Sequence, residues 1–192
     1  MKTVLVALNS KYIHSSLAPW YLKAACGDGC GEIIVLEHTI NDDLENVLSE
    51  VYCLKPDIAA FSCYIWNIGK VLHISENLKK VLPSVKIVFG GPEVSFDAVK
   101  IMAENPFIDY IITGEGEISF KSLLTAIKDL KAEPDKTLLS SIEGLVYRSC
   151  GDILSSNSYT VIKDLDSLPS PYADEMLSST SGKVVYFESS RG

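Results

Sequence analysis

Four polar stretches hold the residues able to do chemistry: "NSKYIHSSLAPW" (Asn9 to Trp20), "SCYIWNIG" (Ser62 to Gly69), "GGPEVSF" (Gly90 to Phe96) and "GEGEISF" (Gly114 to Phe120). Paired glycines let a backbone come close to a flat or bulky ligand, because no Cβ intrudes. Gly90-Gly91 also suits a plain tight turn into a helix. Glu117 suits a helix N-terminus, a role that leaves Gly114 and Gly116 unexplained. Tyr64 and Trp66 fit a stacking wall as well as ordinary packing. Ser15, Ser16 and Ser62 could approach His14, but no carboxylate is placed to orient its imidazole, which disfavours nucleophilic hydrolysis. The usual phosphate cradles are missing: no G-x-G-x-x-G follows the first apolar run, and there is no P-loop. Asn9-Ser10 and Ser62-Cys63 stand where a phospho-receiver would need its acids. These residues describe a binder of a large ligand. No catalytic residue and no metal ligand is assigned.

The elements that must position these loops follow from periodicity. Short, nearly continuous apolar runs predict strands at Thr3–Leu8, Glu32–His38, Ile58–Tyr64, Lys86–Gly91 and Tyr110–Gly114, as for parallel strands covered on both faces. Amphipathic segments alternate with them: Leu17–Ala25, Leu44–Leu54, Gly69–Leu82, Ser95–Glu104 and Glu117–Leu130. Pro56, Pro83 and Pro106 follow three of these helices. Alternating βα units predict an α/β fold of the flavodoxin or Rossmann-like kind. Its open five-stranded parallel sheet has the order 2-1-3-4-5 and helices on both faces. All four polar stretches then fall on the carboxyl edge, where such sheets bind ligands. From Lys131 the texture changes to a polar connection, a β-hairpin turning near Cys150-Gly151-Asp152, and a Pro-punctuated linker through "DLDSLPSPYADEM". The division expected is a ligand domain at 1–135, a hairpin and linker at 136–182, and a further strand at 183–192.

The chain has 192 residues, 47% hydrophobic and 22% charged, with a net charge of −8. That balance fits a globular protein with a real core, and it lacks the basic face a nucleic-acid binder shows. No apolar run reaches the roughly 18 residues of a membrane span, and "MKTVLVALNSKY" fits a buried strand better than a signal peptide. A cytoplasmic location is expected. The five cysteines (Cys26, Cys30, Cys53, Cys63 and Cys150) form an odd set without a secretion signal, which favours reduced thiols. Cys26 and Cys30 have no second Cys or His pair beside them to complete a tetrahedral site.

"GGPE", "TGEGE" and "LDSLPSPY" ahead of a run ending in "ESSRG" together resemble, in order and spacing, the N-terminal region of cobalamin-dependent radical S-adenosylmethionine proteins. That broad class includes the anaerobic magnesium-protoporphyrin monomethyl ester cyclase. The resemblance covers essentially the whole chain. It implies cobalamin lying across the carboxyl edge, with its nucleotide tail lined by Ser62, Gly90, Gly91, Gly114 and Gly116, and with Glu115 nearby. Asn9, Ser10 and His14 would sit under the corrin, and Tyr64, Trp66, Pro92 and Glu93 would complete the cofactor contacts. Methionine-synthase-type domains carry D-x-H-x-x-G in the first loop, so that the histidine ligates cobalt. Here the loop reads Tyr12-Ile13-His14-Ser15-Ser16-Leu17. Without the aspartate that would fix its tautomer, His14 is assigned polar contact with the corrin or a plain loop role.

By the same resemblance, Val184–Glu188 would open a radical SAM barrel, and "SRG" would precede a C-x-x-x-C-x-x-C loop holding a [4Fe–4S] cluster. S-adenosylmethionine and the cluster are expected only in that C-terminal domain, which would make this chain a piece of a longer enzyme and its own partner that domain. The activity implied is methyl transfer or ring-forming radical chemistry. The alternative is a flavodoxin-like module without cobalamin, serving as an interdomain docking unit or taking another small ligand such as a nucleotide.

Overall fold

A strand buried on both faces has no polar side to alternate with, so its sequence is apolar throughout. The computed structural model describes residues 1–11, 14–128, 135–156, 158 and 161–190. Five such runs form parallel strands: β1 (Lys2–Asn9), β2 (Glu32–Thr39), β3 (Ile58–Ser62), β4 (Lys86–Gly90) and β5 (Tyr110–Ile112). Helices α1 (Leu17–Cys26), α2 (Leu44–Leu54), α3 (Ile68–Val81), α4 (Pro92–Ser95), α5 (Ala98–Glu104) and α6 (Glu117–Ala126) connect or follow them. The strand order β2-β1-β3-β4-β5 matches the expected one, and the sheet then continues through β6 (Leu145–Ser149) and β7 (Asp152–Ser155).

The hairpin is therefore not an appendage but part of a seven-stranded sheet. Strand β6 runs antiparallel to β5, with Tyr110 opposite Tyr147 and Ile112 opposite Leu145. The reason is burial: Tyr147 and Leu145 are core residues, and they close over an edge that β5 would otherwise leave bare. The expected helix Ser95–Glu104 is split. Pro92 opens a short helical turn three residues earlier, Ser95 Oγ donates back to the Gly91 carbonyl at 2.8 Å, and Asp97 leaves the helical region before α5 begins. Two short helices arise where loops were expected: α7 (Lys136–Ser140), whose Thr137 amide is capped by Asp135 at 2.8 Å, and α8 (Asp174–Ser179). The run expected as a further strand meets the rest through a single β-bridge, His14 to Val184. A strand needs a ladder partner along its length, and none is present among the described residues. Expectations for Tyr12, Ile13, residues 129–134, Asn157, Tyr159, Thr160, Arg191 and Gly192 lie outside the described residues.

Side chains alternate across the sheet and build a core on each face. Val4, Val6, Ala59, Phe61, Ile87, Phe89 and Ile111 pack against α2, α3 and α5. Leu5, Ala60, Val88, Tyr110 and Ile112 face the other side, with Phe120, Leu123 and Leu124 of α6. Since Val88 and Phe89 point to opposite faces, the missing side chain of Gly90 belongs to the Val88 face. That placement matters for the site.

Candidate functional site

The carboxyl edge holds two adjoining cavities. The first, of about 340 Å³, lies between the sheet and helices α1 and α6, where Leu5, Ala60, Val88, Ile112, Leu22 and Phe120 make an apolar slot. The second, of about 550 Å³, lies over the ends of β1 and β3 and is lined by polar groups including Asn9, Ser10, His14 and Asn67. Leu17, Ser62, Tyr64 and Glu188 line both. An apolar recess opening into a polar one suits a ligand with an aromatic end and a larger amide- or hydroxyl-bearing body.

Most of the predicted residues come together here. Gly90, Gly91, Glu115 and Gly116 line the first cavity. Asn9, Ser10, His14 and Trp66 line the second, and Ser62 and Tyr64 face both. Pro92, Glu93 and Gly114 line neither: Pro92 and Glu93 make the first turn of α4, and the Gly114 amide meets Ser95 Oγ at 3.3 Å. Tyr64 and Trp66 stack on each other, with ring centroids 4.5 Å apart and planes 7° from parallel. They form one aromatic wall rather than two separate contacts. Burial pushes the Tyr64 phenol above its ordinary range, with Cys63 and Glu188 adding to the effect, so at neutral pH it is a neutral hydroxyl.

The two adjacent glycines serve different ends. Gly91 has φ +109° and ψ 171°, a region open essentially to glycine alone, and a Cβ there would stand 2.5 Å from the Cys63 carbonyl oxygen. Its lack of a side chain lets the β4–α4 turn press on the β3 end, where the Cys63 amide donates to Gly90 O at 2.7 Å. Gly90 has ordinary strand geometry, and a Cβ there would meet only Ile112 O, at 3.8 Å. Its missing side chain opens the slot.

Two polar residues shape the site without having stood out in sequence. Asn67 is 1% exposed: its Nδ2 donates to Leu8 O at 3.1 Å and Ser62 O at 2.9 Å, while Oδ1 accepts from the Tyr64 amide at 2.8 Å. It ties the ends of β1 and β3 to the turn that carries the aromatic wall. Glu37, on β2, accepts from Asn9 Nδ2 at 2.9 Å, the Ser16 amide at 3.1 Å and Trp20 Nε1 at 2.8 Å, which ties the end of β1 to the start of α1. The available signals were the second of two carboxylates in "EIIVLEH" and one amide inside "YIWNIG". Glu37→Ala is expected to cost about 1–2 kcal/mol, since three donors lose a charged acceptor but water reaches part of the site; a urea midpoint unchanged from wild type would refute this.

The histidines and thiols take quieter places. His14 Nδ1 is hydrogen-bonded to the Tyr186 hydroxyl, and the two rings stack. His38 lies between Asp42 and Glu50 at 3.4 and 3.3 Å, and exposed His73 lies near Glu45. Cys26, Cys30 and Cys63 are buried free thiols. Burial pushes Cys26 and Cys63 far up, so neither is a nucleophile. Among the described residues, no group of three or more His, Cys, Asp or Glu is placed to hold a metal ion, and no helix is long and apolar enough to cross a membrane.

A family model described as the B12 binding domain matches residues 3–124. The chain belongs to the B12-binding domain family. This is the family that the loop motifs resemble, and its match ends inside α6, so that both cavities are built largely from matched residues. The B12-binding domain is similar to the cobalamin-dependent radical SAM methyltransferase TokK of Streptomyces tokunonensis, 30% identical over 119 residues, spanning 62% of this chain and 17% of TokK. It is also similar to the anaerobic magnesium-protoporphyrin IX monomethyl ester cyclase of Rubrivivax gelatinosus, 30% identical over 148 residues, or 76% of this chain and 26% of the cyclase. The chain thus spans a quarter or less of the length of most such relatives. The solved structure of the cobalamin-dependent S-adenosylmethionine radical enzyme OxsB, with aqua-cobalamin and S-adenosylmethionine bound, shares the fold. Its TM-score is 0.73 at 17% identity, over 94% of this B12-binding domain and 25% of OxsB.

Proposed function

We propose that this domain holds cobalamin across its carboxyl edge, the benzimidazole tail in the apolar slot and the corrin over the polar cavity, and that it serves a radical SAM enzyme. The observation that carries the reading is Gly90, whose missing side chain opens directly onto the slot. Leu5, Ala60, Val88 and Phe120 would exclude water from an aromatic tail, and Ser62 would meet it where the slot widens. Asn9, Ser10 and the Tyr64–Trp66 wall would orient the corrin's edge. Bound cobalamin supplies a cobalt centre able to carry a methyl group or exchange an electron. S-adenosylmethionine and a [4Fe–4S] cluster would belong to a C-terminal radical SAM domain of the same protein, acting as this domain's partner in methyl transfer or ring formation. A cytoplasmic setting agrees with the free thiols, and a net charge of −8 argues against nucleic acid as a partner.

The lining also bears on the alternative of a nucleotide. Among the described residues, Glu115, Glu117 and Glu188 line the slot and no Lys or Arg does, so that none of them offers a polyphosphate a cationic partner there. Hydroxocobalamin mixed with the 192-residue chain and then desalted should leave corrin absorbance with the protein in near-equimolar amount. Absorbance that all passes to the small-molecule fraction would overturn the reading in favour of a docking module without cobalamin.

A further inference from the structure

Strand register arranges the sheet side of the apolar slot in two rows. Leu5 on β1 pairs with Ala60 on β3, and Ala60 with Val88 on β4, so these three lie side by side. Two residues further along the strands come Ser62, Gly90 and Ile112, again direct neighbours, on the same face but nearer the carboxyl edge. Leu22 of α1 and Phe120 of α6 close the slot from the helix side. The inner row is therefore wholly apolar, and the outer row offers a single hydroxyl, that of Ser62. Tyr21, beside Leu22, also lines the slot but already has a partner.

Backbone groups add no polar partners at that depth. The amides and carbonyls of β1, β3 and β4 lie in the plane of the sheet, engaged in the parallel ladders that set the rows. The carboxylates stand further out. Helix α6 begins at the carboxyl edge, so Glu117 in its first turn and Glu115 just before it belong to the mouth, where Glu115 accepts from the Ile162 amide. A purine base carries ring nitrogens and an exocyclic amine around its edge, and each loses water on entering such a space. A polar atom buried without a partner weakens binding roughly tenfold. Dimethylbenzimidazole presents methyl groups instead, and its free ring nitrogen has the Ser62 hydroxyl at the outer row. A phenolic base has no ring nitrogen at all.

We propose that the slot selects among corrinoids by the polarity of the tail base, accepting benzimidazole and phenolic bases and rejecting purines. This rests on the cobalamin reading above. Leu5, Ala60, Val88 and Phe120 set the selection, because they surround the base where no donor or acceptor can replace the water it loses. The corrin, over the polar cavity, is common to all these ligands and takes no part in the choice.

The test is equilibrium dialysis of the 192-residue chain against the methyl-cobalt forms of cobalamin, p-cresolylcobamide, adeninylcobamide and cobinamide, which has no tail base. In the cresolyl and adeninyl forms the base holds cobalt weakly or not at all, so this pair compares the bases alone. p-Cresolylcobamide should bind at least ~10-fold more tightly than adeninylcobamide, and more tightly than cobinamide. A ratio below ~10 between the first two, or a preference for the purine, would overturn the selectivity and leave the cofactor reading standing. Cobinamide binding as tightly as p-cresolylcobamide would take the base out of the slot and overturn the selectivity, with the corrin still on the domain. Failure of every corrinoid to bind, cobalamin included, would overturn the cofactor reading, and the selectivity with it.

Discussion

Gly90→Phe is expected to abolish cobalamin retention while leaving the fold in place. The residue pairs in register with Ser62 on β3 and Ile112 on β5, so its side chain must leave the sheet on the face that carries Val88. A Cβ has room there, since its nearest neighbour is Ile112 O at 3.8 Å, and the backbone needs no change. The phenyl ring would extend into a slot of about 340 Å³ and occupy the space meant for a planar group. Affinity should fall on the order of 100-fold or more, about 3 kcal/mol, with a thermal midpoint close to wild type. Full retention in a folded variant would mean that no part of the cofactor passes Gly90.

The neighbouring glycine should behave in the opposite way. Gly91→Ala adds one methyl group that points away from the slot and into the Cys63 carbonyl, 2.5 Å away, at a backbone setting that side chains avoid. Strain of this kind costs about 1–3 kcal/mol per residue, and the clash adds to it, so a loss of roughly 3 kcal/mol is expected. Denaturant titration without cofactor is the decisive measurement. A variant as stable as wild type would show that the β4–α4 turn can relax. Together the two substitutions separate a glycine that makes room for a ligand from one that makes room for the chain itself.

That distinction marks the limit of what the sequence discloses. "GGPE" is legible as a ligand-edge turn because glycines at the carboxyl end of an apolar run let the backbone come close to a ligand. Which glycine does what depends on strand register and on φ, and both are settled by contacts with residues far along the chain. The five parallel strands are legible because complete burial makes them continuously apolar. The contribution of β6 is not, since a hairpin reads the same whether it stands alone or joins a sheet. Asn67 and Glu37 were silent for a similar reason. Their meaning lies in partners such as Leu8 O and Trp20 Nε1, which no local pattern announces. The run Val184–Glu188 is the clearest case. Its apolar composition predicts a strand that opens a following barrel, and strand formation is a property of pairs: among the described residues it makes one bridge, at Val184.

The hairpin that extends the sheet has a practical outcome for anyone trimming this protein. Residues matched by the family model stop at 124, yet Leu145 and Tyr147 beyond them cover Ile112 and Tyr110. A fragment cut at that point would present a bare three-residue ladder flanked by uncovered apolar surface, open to self-association between copies. The outermost strand then alternates exposed Asp152 and Leu154 with half-buried Ile153 and Ser155. What resembles an ornament after the ligand-binding unit is thus the selvedge that finishes the β5 edge of the sheet.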